Sequence, residues 1–231
     1  MERKALIIGA SRGLGWGLAR ELVSEDWRVV GTVRDPQSHS RLHELQAENR
    51  QQVTIEQVDI TQPAHLAALR SRHARERFDL LFVVAGVSND VHEPIGQVST
   101  DEFVRVMVTN ALSPLRAVET LIDLVTPQGQ VAAMSSELGS IADNTDGGWE
   151  LYRASKASLN TLMRCLAVRR AHDTRTYYVV APGWVRTDLG GENAPLDIET
   201  SVRGVLCAMR ARAGTRGLVF LDYRNEVLPW G

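Results

Sequence analysis

Seven short runs rich in apolar and β-branched residues recur along the chain, separated by longer segments of helical periodicity. No other feature constrains the fold as strongly. The runs are KALIIGA (4–10), WRVVGTV (27–33), VTIEQVDI (53–60), FDLLFVVAG (78–86), QVAAMSS (130–136), TYYVVAPG (176–183) and GLVFLD (217–222). Several are apolar nearly throughout, as strands covered on both faces of a parallel sheet must be. Helical patterns fall near 14–25, 39–48, 63–76, 100–125, 150–172 and 199–211. Strand–helix–strand repeated in this way predicts an α/β protein. Its core is a doubly wound parallel sheet of about seven strands with helices on both faces and right-handed crossovers. No linker, charge run or internal repeat interrupts the pattern, so a single domain over residues 1–231 is expected.

An apolar fraction of 44% in 231 residues is enough for a large core, and the formal net charge of −2 offers nothing to nucleic acid or an anionic membrane. The two cysteines, Cys165 and Cys207, stand far apart, which fits a reducing compartment and excludes a disulfide framework or cysteine-based zinc site. The apolar run in MERKALIIGA is too brief for a signal-peptide core, and no run of about 18 apolar residues exists to span a membrane. A cytoplasmic protein is expected.

Directly after the first strand run comes GASRGLGWGLAR, with Gly9, Gly13 and Gly15 spaced G-x-x-x-G-x-G. Small residues let a backbone pass close to a pyrophosphate, and a helix opening there supplies amide donors and partial positive charge. A glycine motif alone reads as a flexible turn. Between a first strand and a helix it reads as a dinucleotide cradle. The residue closing the second strand separates the two nicotinamide cofactors: an acid binds the ribose 2′-OH, an arginine a 2′-phosphate. The chain reads VVGTVRD, so Arg34 comes first and Asp35 follows, with Arg12 as a second cation in the loop. This order favours NADP(H) over NAD(H), while Asp35 keeps NAD(H) open.

Residues 150–160, ELYRASKASLN, place Tyr152 and Lys156 four apart on one helix face. A free tyrosine has a pKa near 10, and a neighbouring ammonium lowers it towards useful acid–base behaviour. A hydroxyl closing the preceding strand, Ser135 or Ser136, would meet a substrate oxygen as charge develops on it. Tyr-x-x-x-Lys is common on solvated helices, and it gains meaning only beside the nucleotide loop and the strand-end serine. Two Gly-, Asn- and Asp-rich stretches, 137–149 and 184–198, follow strand ends and are the expected walls of a site.

These motifs in this order resemble the short-chain dehydrogenase/reductases over nearly the whole chain. GASRGLG is similar to that family's cofactor loop, VDIT (58–61) to its adenine segment, and AG (85–86) to its fourth-strand motif. Asn110 in VTNALSP matches its helix asparagine, SSELG (135–139) its serine, YRASK (152–156) its tyrosine and lysine, and PGWVRTD (182–188) its nicotinamide loop. The run from SSELG to KASLN, with PGWVRTDLGG and a tail ending LPWG, most resembles the sniffer/C-factor-like carbonyl reductases.

The resemblance implies a Rossmann-type fold and NADPH-dependent reduction of an aldehyde or ketone; alcohol oxidation or a non-catalytic signalling role is the alternative. It implies Tyr152 as proton donor, Lys156 as its tuner and ribose anchor, Ser136 (chosen by S-x-x-G with Gly139) as carbonyl polariser, and Asn110 as holder of a water. It implies cofactor contacts from Gly9, Ser11, Arg12, Gly13, Leu14 and Gly15; from Arg34, Asp59 and Ile60; from Ala85 and Gly86; and from Pro182, Gly183, Val185 and Thr187. A homodimer or homotetramer would use the helices at 100–125 and 150–172. Two departures stand out: Ile8 replaces a threonine before the first glycine, and Val83 and Val84 replace asparagines before Ala85. Ser135 and Ser140 remain rivals of Ser136.

Other features fit plainer readings. His39 and His43, four apart, have no third ligand nearby, so no metal is expected. Arg164, Arg169 and Arg170 read as a solvated helix face, and Asp143 and Asp146 as turn formers. Trp149 and Trp184 either line an apolar substrate pocket or serve as packing.

Overall fold

The computed structural model describes residues 2–230. The apolar runs become seven strands: β1 (Lys4–Ile8), β2 (Arg28–Val33), β3 (Val53–Gln57), β4 (Phe78–Val83), β5 (Val125–Met134), β6 (Thr176–Ala181) and β7 (Gly217–Asp222). They form one sheet in the order β3-β2-β1-β4-β5-β6-β7, with every neighbouring pair parallel. Because strand side chains alternate between faces, each central strand feeds two cores. Leu6 and Ile8 of β1 pack on one side and Ala5 and Ile7 on the other; Tyr177 and Val179 of β6 oppose Tyr178 and Val180.

The first core is closed by α3 (Pro63–Arg72), α5 (Ser113–Leu121) and α6 (Glu150–Arg169), through residues such as Leu66, Val118 and Met163. The second is closed by α1 (Gly13–Ser24), α2 (Arg41–Glu48) and α7 (Ile198–Ala211), through Leu18, Leu42 and Val205. Successive strands run outward in opposite directions from β1 and β4, so the crevice between the carboxyl ends of these two is the topological switch point.

The elements differ from the sequence expectation in three places. β1, β4 and β6 stop short of the glycines and prolines that follow them, because Gly9 and Gly183 take positive φ (91° and 77°) and turn the chain away. β5 begins at Val125 rather than at Gln130, and a register irregularity against Phe78 and Leu80 absorbs the added length. The helix expected over 100–125 is broken. α4 (Thr100–Met107) passes into a π-helical turn, Val108–Leu112, before α5. Pro114 explains the change: it has no N–H to give the carbonyl of Asn110, its α-helical partner four residues back.

At the start of β4 a polar cluster ties several elements together. His73 is buried, with Nδ1 2.7 Å from Glu76 Oε1 and Nε2 3.0 Å from Glu56 Oε1 on β3. Lys4 Nζ on β1 donates to Glu76 at 2.9 Å. Burial pushes Glu76 up, but the bonds from Lys4 and His73 hold it below the ordinary glutamate range. Replacing His73 with leucine strips two carboxylates of a buried partner. It should cost roughly 2–4 kcal/mol, read as a midpoint shift in urea unfolding with unchanged slope.

Candidate active site

The loop after β1 is shaped by contact with its own backbone. A Cβ on Gly15 would lie 1.9 Å from the carbonyl oxygen of Gly9, and one on Gly9 would lie 2.8 Å from the Ala85 nitrogen. Neither position admits a side chain, so a bare backbone faces the crevice. No side chain caps α1, whose N-cap is Arg12, and the first-turn amides stay open to an anion. Ile8, where a threonine was expected, is buried in the first core. Its scaffolding part is taken by Thr32 on β2, whose Oγ1 accepts from Gly9 N at 2.9 Å. The carbonyl of Ile8 accepts from both Val84 N and Ala85 N (2.9 and 3.0 Å), fastening β4 to the loop without asparagines.

Arg34, exposed at the end of β2, and Asp59 with Ile60, just past β3, flank one side of the loop. Burial raises the Asp59 carboxyl, but bonds from Thr61 N (2.9 Å) and Thr61 Oγ1 (2.7 Å), with the charge of Arg34, hold it below the usual range. Asp35 spends one oxygen accepting from Gln37 N at 2.9 Å, closing its own turn. Arg12 forms an ion pair with Asp188 across the crevice.

On the other side, α6 carries Tyr152 and Lys156, 8% and 3% exposed. Burial alone pushes the Tyr152 phenol up to about 12, and the Ser136 hydroxyl beside it opposes the shift. Burial also drives the Lys156 ammonium down to about 8. Lys156 Nζ donates to Met134 O at 2.9 Å and lies 5.6 Å from the Tyr152 ring centroid. The amine therefore touches a strand-end carbonyl rather than the phenol, and desolvation, more than attraction, sets both groups.

The three serines separate cleanly. Ser135 is buried and donates to Asn160 Oδ1 at 2.6 Å, while Ser140 accepts from Asp143 N at 3.2 Å. Only Ser136 stands beside Tyr152. The Asn110 side chain is committed to structure: Oδ1 accepts from Val87 N, and Nδ2 donates to Val87 O and to Ser155 Oγ, at 2.8, 2.8 and 3.0 Å. Ser155 in turn donates to the Tyr152 carbonyl at 2.7 Å. The main-chain carbonyl of Asn110 lies on the π turn, where Pro114 offers it no N–H. A Cβ on Gly86 would be in ordinary contact with Asn110 Oδ1 at 3.4 Å and Lys156 Nζ at 3.5 Å, which places Gly86 beside both side chains.

The segment after β6 closes over this crevice. Gly183 cannot carry a side chain, as its Cβ would lie 2.6 Å from Leu196. Val185 is buried and bridges to Leu196, and a Cβ on Gly13 would touch Thr187 at 3.7 Å. Trp184, 54% exposed, donates Nε1 to Gly190 O at 2.7 Å. Trp149 sits at φ 52°, strained for a bulky residue, with its ring edge-on to Tyr152 at 5.8 Å. Ser155, Asn160, Thr32 and Asp188 were missed in the sequence. Asn160, four residues beyond Lys156 on the same helix face, had a readable spacing; Thr32 and Asp188 act across elements and had none.

From Arg34 on β2 to Ser136 after β5 the site spans three strand spacings, roughly 14 Å, the reach of an extended dinucleotide. The family model described as enoyl-(acyl carrier protein) reductase matches residues 9–206. A short-chain dehydrogenase/reductase from Burkholderia multivorans with bound NADP is 48% identical, with a TM-score of 0.97 over 100% of both chains. The chain belongs to the short-chain dehydrogenase/reductases. Within that family it resembles the carbonyl reductase Sniffer of D. melanogaster, 28% identical with a TM-score of 0.88 over 100% of both chains. The C-signal of Myxococcus xanthus is 36% identical over 155 residues, 66% of this chain and 92% of that protein. These likenesses place this oxidoreductase in the sniffer/C-factor-like branch.

A lysine held in the folded protein near 8 instead of 10.5 must be kept charged in a buried site at neutral pH. The strain is fully present below pH 8 and is relieved as pH rises from 8 towards 10.5, where the unfolded chain binds the proton more tightly. Lys156→Met should therefore stabilise the ligand-free protein at pH 7 by roughly 1–3 kcal/mol. Its advantage over the wild type should shrink by pH 9.5 in parallel thermal melts.

Proposed function

We propose that this short-chain dehydrogenase/reductase is an NADPH-dependent carbonyl reductase. The observation that carries the reading is the half-buried Ser136 beside the buried Tyr152, with buried Lys156 behind them and a bare phosphate loop alongside. Tyr152, with its pKa pushed up to about 12, is a neutral phenol at pH 7, the form that gives a proton. NADPH held there would supply hydride to a carbonyl carbon. The substrate oxygen then becomes an alkoxide, a far stronger base than phenolate, and the Tyr152 hydroxyl hands over its proton while the Ser136 hydroxyl holds that oxygen in line. Lys156, charged below about pH 8, steadies the phenolate left behind. The Asn110 carbonyl, without an α-type partner, holds the water through which the proton is replaced.

The cofactor fits the residues present. Gly9, Ser11, Gly13, Leu14 and Gly15 would carry the pyrophosphate, Asp59 and Ile60 the adenine, and Ala85, Gly86, Tyr152 and Lys156 the nicotinamide ribose. Pro182, Gly183, Val185 and Thr187 would face the nicotinamide. Arg12 and Arg34 would take the 2′-phosphate, with Asp35 already engaged in its own turn. The loop 184–198 and Trp149 would form the walls of an apolar substrate pocket. The exposed, unpaired Cys165 and Cys207 fit a reducing, cytoplasmic setting.

The likeness to C-signal favours a second reading, a nucleotide-binding signal without turnover. Consumption of NADPH across aldehydes, ketones, quinones and an enoyl thioester separates the two. At least one carbonyl compound should turn over, and Tyr152→Phe should lower kcat by about 10²–10⁴-fold with little change in NADPH affinity. Binding without turnover on any compound would establish the signalling reading instead.

A further inference from the structure

Asp188 plays no part in the chemistry above, yet it holds the one guanidinium that sits in the phosphate loop. Arg12 is the N-cap of α1, its backbone extended, and both partners of the pair are about 70% exposed (73% and 70%). Asp188 stands at the tip of a tight turn. Gly191 N donates to Thr187 O at 2.8 Å and Gly190 N to Thr187 Oγ1 at 3.1 Å, and a Cβ on Gly190 would strike Val185 O at 2.0 Å. The rest of the segment is secured elsewhere: Val185 to Leu196, Arg186 to the carbonyls of Ala194 and Pro195, and Asp197 to Thr200 N at the start of α7. Among the described residues, Arg12 is the turn's only polar contact with the glycine loop.

We infer that Asp188 is a specificity-determining residue for the cofactor, competing with the 2′-phosphate for Arg12 and releasing the turn at 187–191 from the glycine loop when the phosphate wins. The inference rests on the reading of Arg12 as a 2′-phosphate ligand. A dianionic phosphate offers more charge and more acceptor oxygens to the planar fork than one carboxylate. An exposed carboxylate–guanidinium pair is weak, so it yields to the phosphate and re-forms when the phosphate leaves. A cofactor without the 2′-phosphate has nothing to displace Asp188, and the clasp stays shut over the crevice. Cofactor choice and loop position are thus linked through one arginine.

A double-mutant cycle tests this by equilibrium binding of NADPH and NADH. Asp188→Asn should tighten NADPH roughly two- to fivefold and leave NADH unchanged. In an Arg12→Ala background the same substitution should do nothing to either. Equal tightening of both cofactors, or tightening of NADPH that persists without Arg12, would show a general field effect and overturn the inference. If Arg12→Ala alone leaves the preference for NADPH intact, the reading of Arg12 fails instead. Hydrogen exchange gives a readout independent of binding and turnover. Adenosine 2′,5′-bisphosphate should speed exchange at Gly190 and Gly191, whereas ADP should not. No difference between the two nucleotides would overturn the coupling.

Discussion

Everything at the ligand-facing edge of this sheet depends on how closely β1 and β4 approach where they end. The carbonyl of Gly9 and the would-be Cβ of Gly15 are 1.9 Å apart, and Ala85 crowds Gly9 from the other strand. Only glycine survives at either position. The exclusion of side chains exposes amides at the start of α1, and the outward divergence of strands from this point opens the crevice those amides face. Family-typical side chains are dispensable there as long as their hydrogen bonds are supplied. Thr32 and the Ile8 carbonyl do so, which is why Ile8 and Val83 can be core residues while Val84, partly buried, packs against the opposite core.

The second governing term is desolvation. Tyr152 and Lys156 are moved by burial in opposite directions, towards neutrality in each case. Burying an amine with a single carbonyl partner costs stability, and such costs concentrate where a site is arranged for chemistry, which is the role proposed for Lys156. The supporting hydrogen bonds are full. Asn110, Ser155, Ser135 and Asn160 link α6 to the π turn and to the strand-end segment, so the phenol and amine are held by side chains that do no chemistry themselves.

The architecture was legible in the sequence because buried parallel strands must be apolar on both faces, and KALII or TYYVVA can hardly be anything else. The early start of β5 was not, since TPQGQ has no strand character and only Val125 before it and Gln130 at its end pair with β4. Helical periodicity runs straight through 100–125 and hid the π turn, although Pro114 marked it. At the site, the Tyr152–Lys156 spacing could be read locally. The choice among Ser135, Ser136 and Ser140 could not, because it depends on which hydroxyl Asn160 and the Asp143 amide take. The direction of the Tyr152 shift was also hidden: spacing reveals an ammonium nearby but not the burial that outweighs it. The clasp from Arg12 to Asp188 joins residues 176 positions apart and left no local trace.

Tyr152 is proposed to give its proton to a carbonyl oxygen while hydride arrives at the adjoining carbon. This transfer is tested most directly by a single turnover with NADPH deuterated at C4 of the nicotinamide, following deuterium in the product by NMR. Deuterium should appear on the carbinol carbon with the wild type, and none above background in the same interval with Tyr152→Phe at saturating cofactor. Transfer at the wild-type rate by the phenylalanine variant would contradict it.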